Sequence, residues 1–503
     1  MNTQTEPSSI AAIDLGSNSF HLLIGRFISG HFQILGKEKI RVQLAQGLGE
    51  DFSLDEASIE RGLEALKQIN ERLKDISADD VRIVATYTLR KAKNAREFLR
   101  QARRFLPCPI EVISGSEEAR LIYQGVAHTQ PGKEQRLVID IGGGSTECII
   151  GQGFSPLRLN SLEMGCVTLA EKYFAEQELT TKRFKKAEMA AAQQIDPIAT
   201  QYQRVGWKQV FGCSGTIKAV AYCLEQLGFT GGEITADGLA ALKKTLCEDS
   251  QVSNDRFEQI APERARVLPS GLAILIALFD TLKIDSMMLS EAALREGLVY
   301  EMEERMRHHD IRERTAVSLV ERYHVDQAQA ARVQSTAVAL YQAVKAPWLL
   351  AGKKLKPLLN WAALLHEVGI SIHFKGFQRH GAYILANTAL PGFNAEEQQL
   401  VAAMVLHHRK RLVTELPALT LFEDQDQVRL IMLLRIATLL HLHRSEDQPV
   451  FEPTAEDDKL TLCFDHQWLC AHPLLEERLI KEVKEWARVD MQLAISTNDD
   501  NSR

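Results

Sequence analysis

Apolar and polar positions alternate across residues 10–50 with the two-residue period of a sheet. Turns are expected at Ser29-Gly30 and at Gly47-Leu48-Gly49. Over residues 51–74 the period lengthens, and Ile59, Leu63, Leu66 and Ile69 make the single apolar stripe of a helix. Val81–Ala85 and residues 109–113 read as strands, and Thr88-Leu89-Arg90 opens a further helix. Leu137, Val138 and Ile139 lead into Asp140 as a buried strand would, ahead of Gly142-Gly143-Gly144. A buried helix over residues 272–279 and a strand over 287–289 follow. From about residue 310 the pattern is nearly all helical, including an apolar stretch at 361–370. A strand pair is expected near 459–465, a helix over 474–489, and a disordered end from residue 496.

The glycine run organises the chain. Three glycines let the backbone turn tightly and approach a ligand closely, and such a loop can aim consecutive N–H groups at an anion. Asp140 precedes it, and Ser145, Thr146 and Glu147 follow. A similar stretch lies near the start: aligning Asp14 with Asp140 pairs Ile13 with Ile139, Gly16 with Gly142 and Ser19 with Ser145. Residues 84–88 and 211–216 match at nearly the same offset. The duplication predicts two α/β lobes facing each other across a cleft, with carboxylates and small-residue loops from both. That arrangement suits a phosphate chain and a metal ion.

Composition narrows the choice. At 503 residues the chain has room for three or four domains, and we expect them at 1–122, 123–308, 309–447 and 448–503. A net charge of −7 gives no global basic field for nucleic acid. The eight cysteines include no CxxC pair, which predicts reduced thiols in a cytoplasmic protein. The first residues carry no basic n-region or apolar h-region, and the apolar run at 272–279 is too short to span a bilayer.

Ser114 and Glu117 have the spacing of a capping box, which leaves Glu118 to point elsewhere, kept ionised by the helix N-terminus. An ionised carboxylate beside a phosphate cleft is what a general base needs. Arg90 stands apart from the surrounding basic residues because it follows the loop matching Ser214-Gly215-Thr216. Arg264 or Arg266 would partner phosphate in the second lobe. His366-Glu367, His373, His380, His407, His408, His441 and His443 are scattered over the helical region, where histidines serve packing more often than metals. Arg379, His380, His407, His408, Arg409, Lys410 and Arg411 form a cationic run in an acidic protein, either a binding arm or a solvated helix end.

The stretches IDLGSNSFH, ATYTLR, ISGSEEARLIYQGV, VIDIGGGSTE, MGCVTL, GCSGTIKA and LREGLVYEME together resemble the exopolyphosphatase/guanosine pentaphosphate phosphohydrolase family. The resemblance implies an α/β fold of two duplicated actin-like lobes of the acetate- and sugar-kinase type (ribonuclease H-like). After them would come an all-α domain similar to the histidine–aspartate phosphohydrolases, with Glu367 in place of the aspartate, and a small C-terminal domain. It implies Glu118 as catalytic base, Asp140 and Glu147 serving Mg2+ and the catalytic water, and Arg90 and Arg264 neutralising charge. Phosphate contacts would come from Asp14, Ser17-Asn18-Ser19, Gly142-Gly143-Gly144-Ser145 and Ser214-Gly215-Thr216, with Arg409 and Lys410 extending the site. It also allows a monovalent cation such as K+, a homodimer, and peripheral membrane association without an integral membrane segment.

Within the family, IDIGGGSTE, RHGAYILANTALPGFN and HHRK favour hydrolysis of inorganic polyphosphate from its end. LIYQGVAHT and LPSGLAILIALF favour the alternative, conversion of guanosine pentaphosphate to guanosine tetraphosphate in the stringent response. We expect the exopolyphosphatase activity to be the main one. A sugar or acetate kinase, an actin-like scaffold ATPase and a non-catalytic nucleotide sensor are the competing classes.

Overall fold

The computed structural model describes residues 9–498, apart from 29–30, 131, 133, 176–178, 230–231, 253–255, 308–310, 351–354, 389, 413–415 and 446–449. The expected turn at Ser29-Gly30 and the boundaries expected at 308/309 and 447/448 lie outside the described residues. The chain divides into two compact units, Met1–His308 and His309–Arg503.

In the first unit, β1 (Ile10–Leu15), β2 (Ser19–Ile28) and β3 (His31–Arg41) form an antiparallel meander. Helix α1 (Glu56–Arg72) crosses to β4 (Val81–Ala85), parallel to β1, and α2 (Tyr87–Lys91) and α3 (Ala95–Ala102) lead to β5 (Ile110–Val112), parallel to β4. After α4 (Gly115–Thr129) the plan repeats. Strands β6 (Gln135–Ile141), β7 (Thr146–Gln152) and β8 (Ser155–Leu162) are antiparallel. Then α5 (Cys166–Tyr173) and α6 (Thr181–Val205) cross to β9 (Gln209–Cys213), parallel to β6. Next come α7 (Ser214–Gln226), β10 (Glu233–Thr235), α8 (Ala236–Glu248) and α9 (Pro262–Leu282). They precede β11 (Ser286–Leu289), parallel to β9, and α10 (Leu294–Arg307). The first sheet runs β3-β2-β1-β4-β5; the second, from its other edge, runs β8-β7-β6-β9-β11-β10. The same path is traced twice, with one edge strand added.

The central strands explain themselves chemically. Ile10 to Ile13 are buried, as are Leu137, Val138, Ile139 and Ile141, because helices cover both faces of each sheet. Helix α1 starts five residues later than the stripe suggested, since the Asp55 carboxylate accepts from the Ser58 N–H at 2.7 Å and caps it there. Helix α9 extends well beyond the expected 272–279, with Pro262 in its first turn. It is long and apolar enough to cross a membrane, but 72% of its most apolar window is buried inside the protein, as in a core helix.

Residue 122 lies inside α4, so the chain passes between the lobes through that helix. Helices α4 and α10 cross at glycines: a Cβ on Gly125 would overlap the Ala293 carbonyl, and one on Gly297 the Leu121 carbonyl. A buried ion network locks the crossing. Glu301 accepts from Arg82 at 2.8 Å and from Arg120, whose fork also clasps Glu117 at 2.8 and 2.7 Å. Arg82 reaches Glu111 at 3.1 Å. Glu301→Ala would strand part of two buried guanidinium charges, so we expect a loss on the order of 3 kcal/mol in urea unfolding. A loss under about 1 kcal/mol would mean that the network is not fully desolvated.

The second unit holds α11 (Ile311–Arg322), α12 (Gln327–Val344), α13 (Lys356–Leu365), α14 (Phe377–Asn387), α15 (Ala395–His407) and α16 (Asp424–Leu440). Then follow β12 (Phe451–Glu456), β13 (Lys459–Phe464), α17 (His466–Cys470), α18 (Pro473–Trp486) and β14 (Gln492–Thr497). Strand β12 is antiparallel to β13, and β14 is parallel to it. One core runs through all of it, from Ala316 to Leu493. Ser496 and Thr497 pair with Cys463 and Phe464 in β14, where a disordered end was expected; residues 499–503 lie outside the described residues. The fold is therefore the duplicated α/β pair of actin-like lobes, followed by a helical region and a small α+β tail.

Candidate active site

Asp14 and Asp140 stand near the ends of the paired strands β1 and β6, each followed by a turn of small residues. Both line one cavity of about 320 Å³, together with Glu118 from α4 and Glu147 from β7. Glu118 enters because Ser114 caps α4 by accepting from the Glu117 N–H at 3.2 Å, which sets the first turn. The Glu117 carboxylate itself is clasped by Arg120, so the capping role expected of it is carried by its N–H alone in the contacts seen here.

The two turns present their backbone alike. The carbonyls of Gly142 and Gly143 accept from the N–H groups of Cys166 and Val167, at 2.9 Å each. In a trans peptide the N–H points opposite the C=O, so the N–H groups of Gly143 and Gly144 face away from α5. In the first lobe, the carbonyls of Ser17 and Asn18 accept from Ala45 and from Val42 and Gln43, which turns the N–H groups of Asn18 and Ser19 the other way. Ser17, Asn18, Ser19, Gly142, Gly143 and Gly144 line the cavity, as do Ser145, Ser214, Gly215 and Thr216. Thr88 donates to the Ser17 hydroxyl at 2.8 Å and holds it in place. The loops meet closely: a Cβ on Gly143 would lie 3.0 Å from that of Ser17.

Three buried carboxylates, Glu118, Asp140 and Glu147, and the partly buried Asp14 share this space. Burial, then Glu118, pushes the Asp14 pKa up to about 7, and the same two causes bring Asp140 to about 7. Burial raises Glu147 well above the carboxylate range, with Glu118 and Asp140 adding to it, although the Ser161 hydroxyl donates to Glu147 at 2.7 Å. Burial also raises Glu118, against the expectation that the helix N-terminus keeps it ionised; the Arg90 guanidinium opposes the shift. Like charges held together in low dielectric call for a cation. Asp14 Oδ1 is buried without a hydrogen-bond partner, which fits that demand. No group of three or more His, Cys, Asp or Glu ligands is gathered around one point among the described residues. The hard carboxylate oxygens of Asp14, Asp140 and Glu147 are the donor type that an oxygen-ligated ion such as Mg2+ needs.

Cations line the same cavity. Arg264 is there, donating to Thr216 at 3.4 Å, and a Cβ on Gly215 would lie 2.5 Å from its guanidinium. Arg266 instead lines a separate recess with Arg41 and Glu171, so of the two arginines Arg264 is the one beside the carboxylates. The sequence reasoning missed His21, Lys39, Lys218 and Arg295. Lys218 and Arg295 lie inside the GCSGTIKA and LREGLVYEME stretches and were findable there. His21 likewise ends the IDLGSNSFH stretch, whereas Lys39, opposite it on β3, lies in none of the quoted stretches and carried no signal. Burial, then Arg295 and Lys39, pushes His21 down to about 3, so it stays neutral. Arg90 does not line the cavity; it donates to Glu118 at 3.1 Å and to the Ile113 carbonyl at 2.9 Å.

The remaining candidates lie in the second unit. His366 and His408 are buried, and their Nδ1 atoms bond the carbonyls of Ala363 and Val405 at 2.7 and 2.6 Å. Burial lowers the pKa of His366, His407 and His408, and Glu367 pairs with Arg444. The Arg409 guanidinium lies 4.6 Å from the Phe377 ring centroid. Lys410 is exposed, and its carbonyl accepts from Arg435 at 2.9 Å.

Two lobes that gather carboxylates, cations and backbone N–H groups of two small-residue turns around one cavity are fitted to chemistry on phosphoanhydride bonds. The chain belongs to the Ppx/GppA phosphatase family: the family model matches residues 23–306, and that of domain III matches 311–483. It is 43% identical over 473 residues to a guanosine-5'-triphosphate,3'-diphosphate pyrophosphatase of Photobacterium profundum, covering 94% of this chain and 95% of that one. A protein of the same name from Aeromonas hydrophila is 42% identical over 476 residues, 94% of this chain and 96% of its own. The crystal structure of the Aquifex aeolicus family member is similar with a TM-score of 0.53 and 27% identity, covering 60% of this chain and 99% of that one.

These relatives overturn the expectation that exopolyphosphatase is the main activity. The expectation leaned on the cationic run at 407–411, and the structure shows why that was misleading. His407 and His408 are buried with lowered pKa values, and Arg409 is engaged with Phe377. Only Lys410 and Arg411 of that run are exposed.

Proposed function

We propose that this protein hydrolyses guanosine pentaphosphate to guanosine tetraphosphate and orthophosphate. The observation that carries this is the near-full-length match to guanosine-5'-triphosphate,3'-diphosphate pyrophosphatases, in a chain that keeps four carboxylates and a cationic wall around one cavity. In the reaction, water attacks the terminal phosphorus of the 5'-triphosphate, and the bond to the bridging oxygen breaks. Glu118 takes the water's proton, and the leaving oxygen remains on the shortened nucleotide.

Phosphoryl transfer needs positioning and charge neutralisation more than covalent chemistry. The N–H groups of Asn18, Ser19, Gly143 and Gly144 would hold non-bridging oxygens, as fixed donors that need no reorganisation. Arg264, Arg295, Lys39 and Lys218 would balance the charge of the polyanion. Asp140 and Glu147, with Asp14 beside them, would hold Mg2+, which when bound neutralises charge on the phosphates. The eight cysteines are all free thiols, which suits a reducing compartment.

The test is turnover of guanosine pentaphosphate by the full chain, with both products identified. Stoichiometric tetraphosphate and orthophosphate are expected. Release of pyrophosphate would place the cleavage at another bond.

A further inference from the structure

Arg90 and Ser161 bond two of the carboxylates without lining the cavity themselves. Arg90 follows β4 in the first lobe, and its Nη1 donates both to the Glu118 carboxylate at 3.1 Å and to the Ile113 carbonyl at 2.9 Å. One nitrogen thus ties the end of the β5 segment to the first turn of α4. The guanidinium is about one-fifth exposed, and Glu118 less than a tenth. Ser161 lies on β8 in the second lobe, and its hydroxyl donates to Glu147 at 2.7 Å. The two supports meet at Gly115, the first residue of α4. A Cβ there would lie 2.5 Å from the Ser161 Cβ, 2.6 Å from its hydroxyl, and 3.6 Å from Arg90 Nη2. Gly115 is therefore a glycine by packing, because the other lobe rests on the helix end that carries Glu118.

From this geometry we infer that Arg90 and Ser161 are positioning residues. Arg90 fixes the rotamer of Glu118, Ser161 fixes that of Glu147, and their contact at Gly115 sets the two carboxylates against each other across the cleft. The inference deepens the proposed mechanism and rests on Glu118 as the proton acceptor. It gives Arg90 a different task from the charge neutralisation that the family resemblance implied. A misplaced base loses the in-line geometry of the attacking water, and small displacements are costly for such a step.

A double-mutant cycle separates the two roles, because a residue that acts through Glu118 has nothing left to position once the base is gone. Arg90→Gln is expected to lower kcat by roughly thirtyfold while KM stays within about threefold, and Arg90→Lys to recover part of the loss. In a Glu118→Gln background, Arg90→Gln is expected to cost less than about twofold further. Ser161→Ala, which keeps the packing on Gly115, is expected to lower kcat by about fivefold, again with little change in KM. If Arg90 is instead a phosphate ligand, KM rises by about tenfold or more, and the cost is the same in either background; that result overturns the inference.

Each protein is assayed on guanosine pentaphosphate and on inorganic tripolyphosphate. Wild-type turnover of tripolyphosphate alone would sink the substrate proposal and leave the cycle readable. Full activity of Glu118→Gln would remove the base on which the inference rests.

Discussion

Glu118→Gln is expected to lower turnover by about a hundredfold or more while KM changes little. The amide keeps the size of the carboxylate and most of its hydrogen bonding, including an oxygen that can still accept from Arg90. It removes the basic lone pair. Because burial raises the pKa of Glu118, the wild-type rate should also climb with pH as that group ionises, and this limb should vanish in the variant. Steady-state orthophosphate release across pH checks both outcomes. Turnover within about threefold of wild type would take Glu118 out of the mechanism.

Asp140→Asn carries the second large effect, and it runs in opposite directions for activity and stability. Activity should fall steeply, because one carboxylate of a hard, oxygen-ligated cation is lost. Stability of the metal-free protein should rise. The Asp140 pKa is raised from 3.8 to about 7, so the folded protein holds a proton there that the unfolded chain releases. That contribution is present below the unfolded pKa and is lost as pH rises through about 7. At pH 8 the wild-type protein therefore bears the full penalty of mutually repelling buried carboxylates, and the asparagine relieves it by on the order of a few kcal/mol. Thermal unfolding at pH 8 in chelator, with and without added Mg2+, reads the effect. A variant less stable than wild type under those conditions would mean that the site is not electrostatically strained.

Much of this was legible in the chain. The pairing of Asp14 with Asp140 and of residues 84–88 with 211–216 announced a duplication, and the two sheets trace the same strand path. Local rules gave β4 as Val81–Ala85 and placed the N-cap of α4 at Ser114. What stayed hidden depends on tertiary contact. Nothing local distinguishes Lys39 on an edge strand from any other surface lysine, yet β3 brings it to the cavity beside Arg264. Arg90 stood out because it follows a matched loop, but its bond to Glu118, 28 residues away, could not be read from that position. Glu117 fitted a capping box, but its carboxylate is held by Arg120 in a buried network that only the crossing of α4 and α10 creates. The cationic run at 407–411 misled for the same reason: sequence counts charges, and burial decides which of them reach solvent.

The central claim is that the cavity between the two lobes serves a guanosine pentaphosphate whose terminal phosphate is removed by water. The measurement that tests it most directly is kcat/KM of the full chain for guanosine pentaphosphate and for long-chain polyphosphate, side by side at one ionic strength. The account predicts a preference for the nucleotide of at least about tenfold, a difference of roughly 1.4 kcal/mol in transition-state binding. Equal values, or a preference for the long chain, would contradict it.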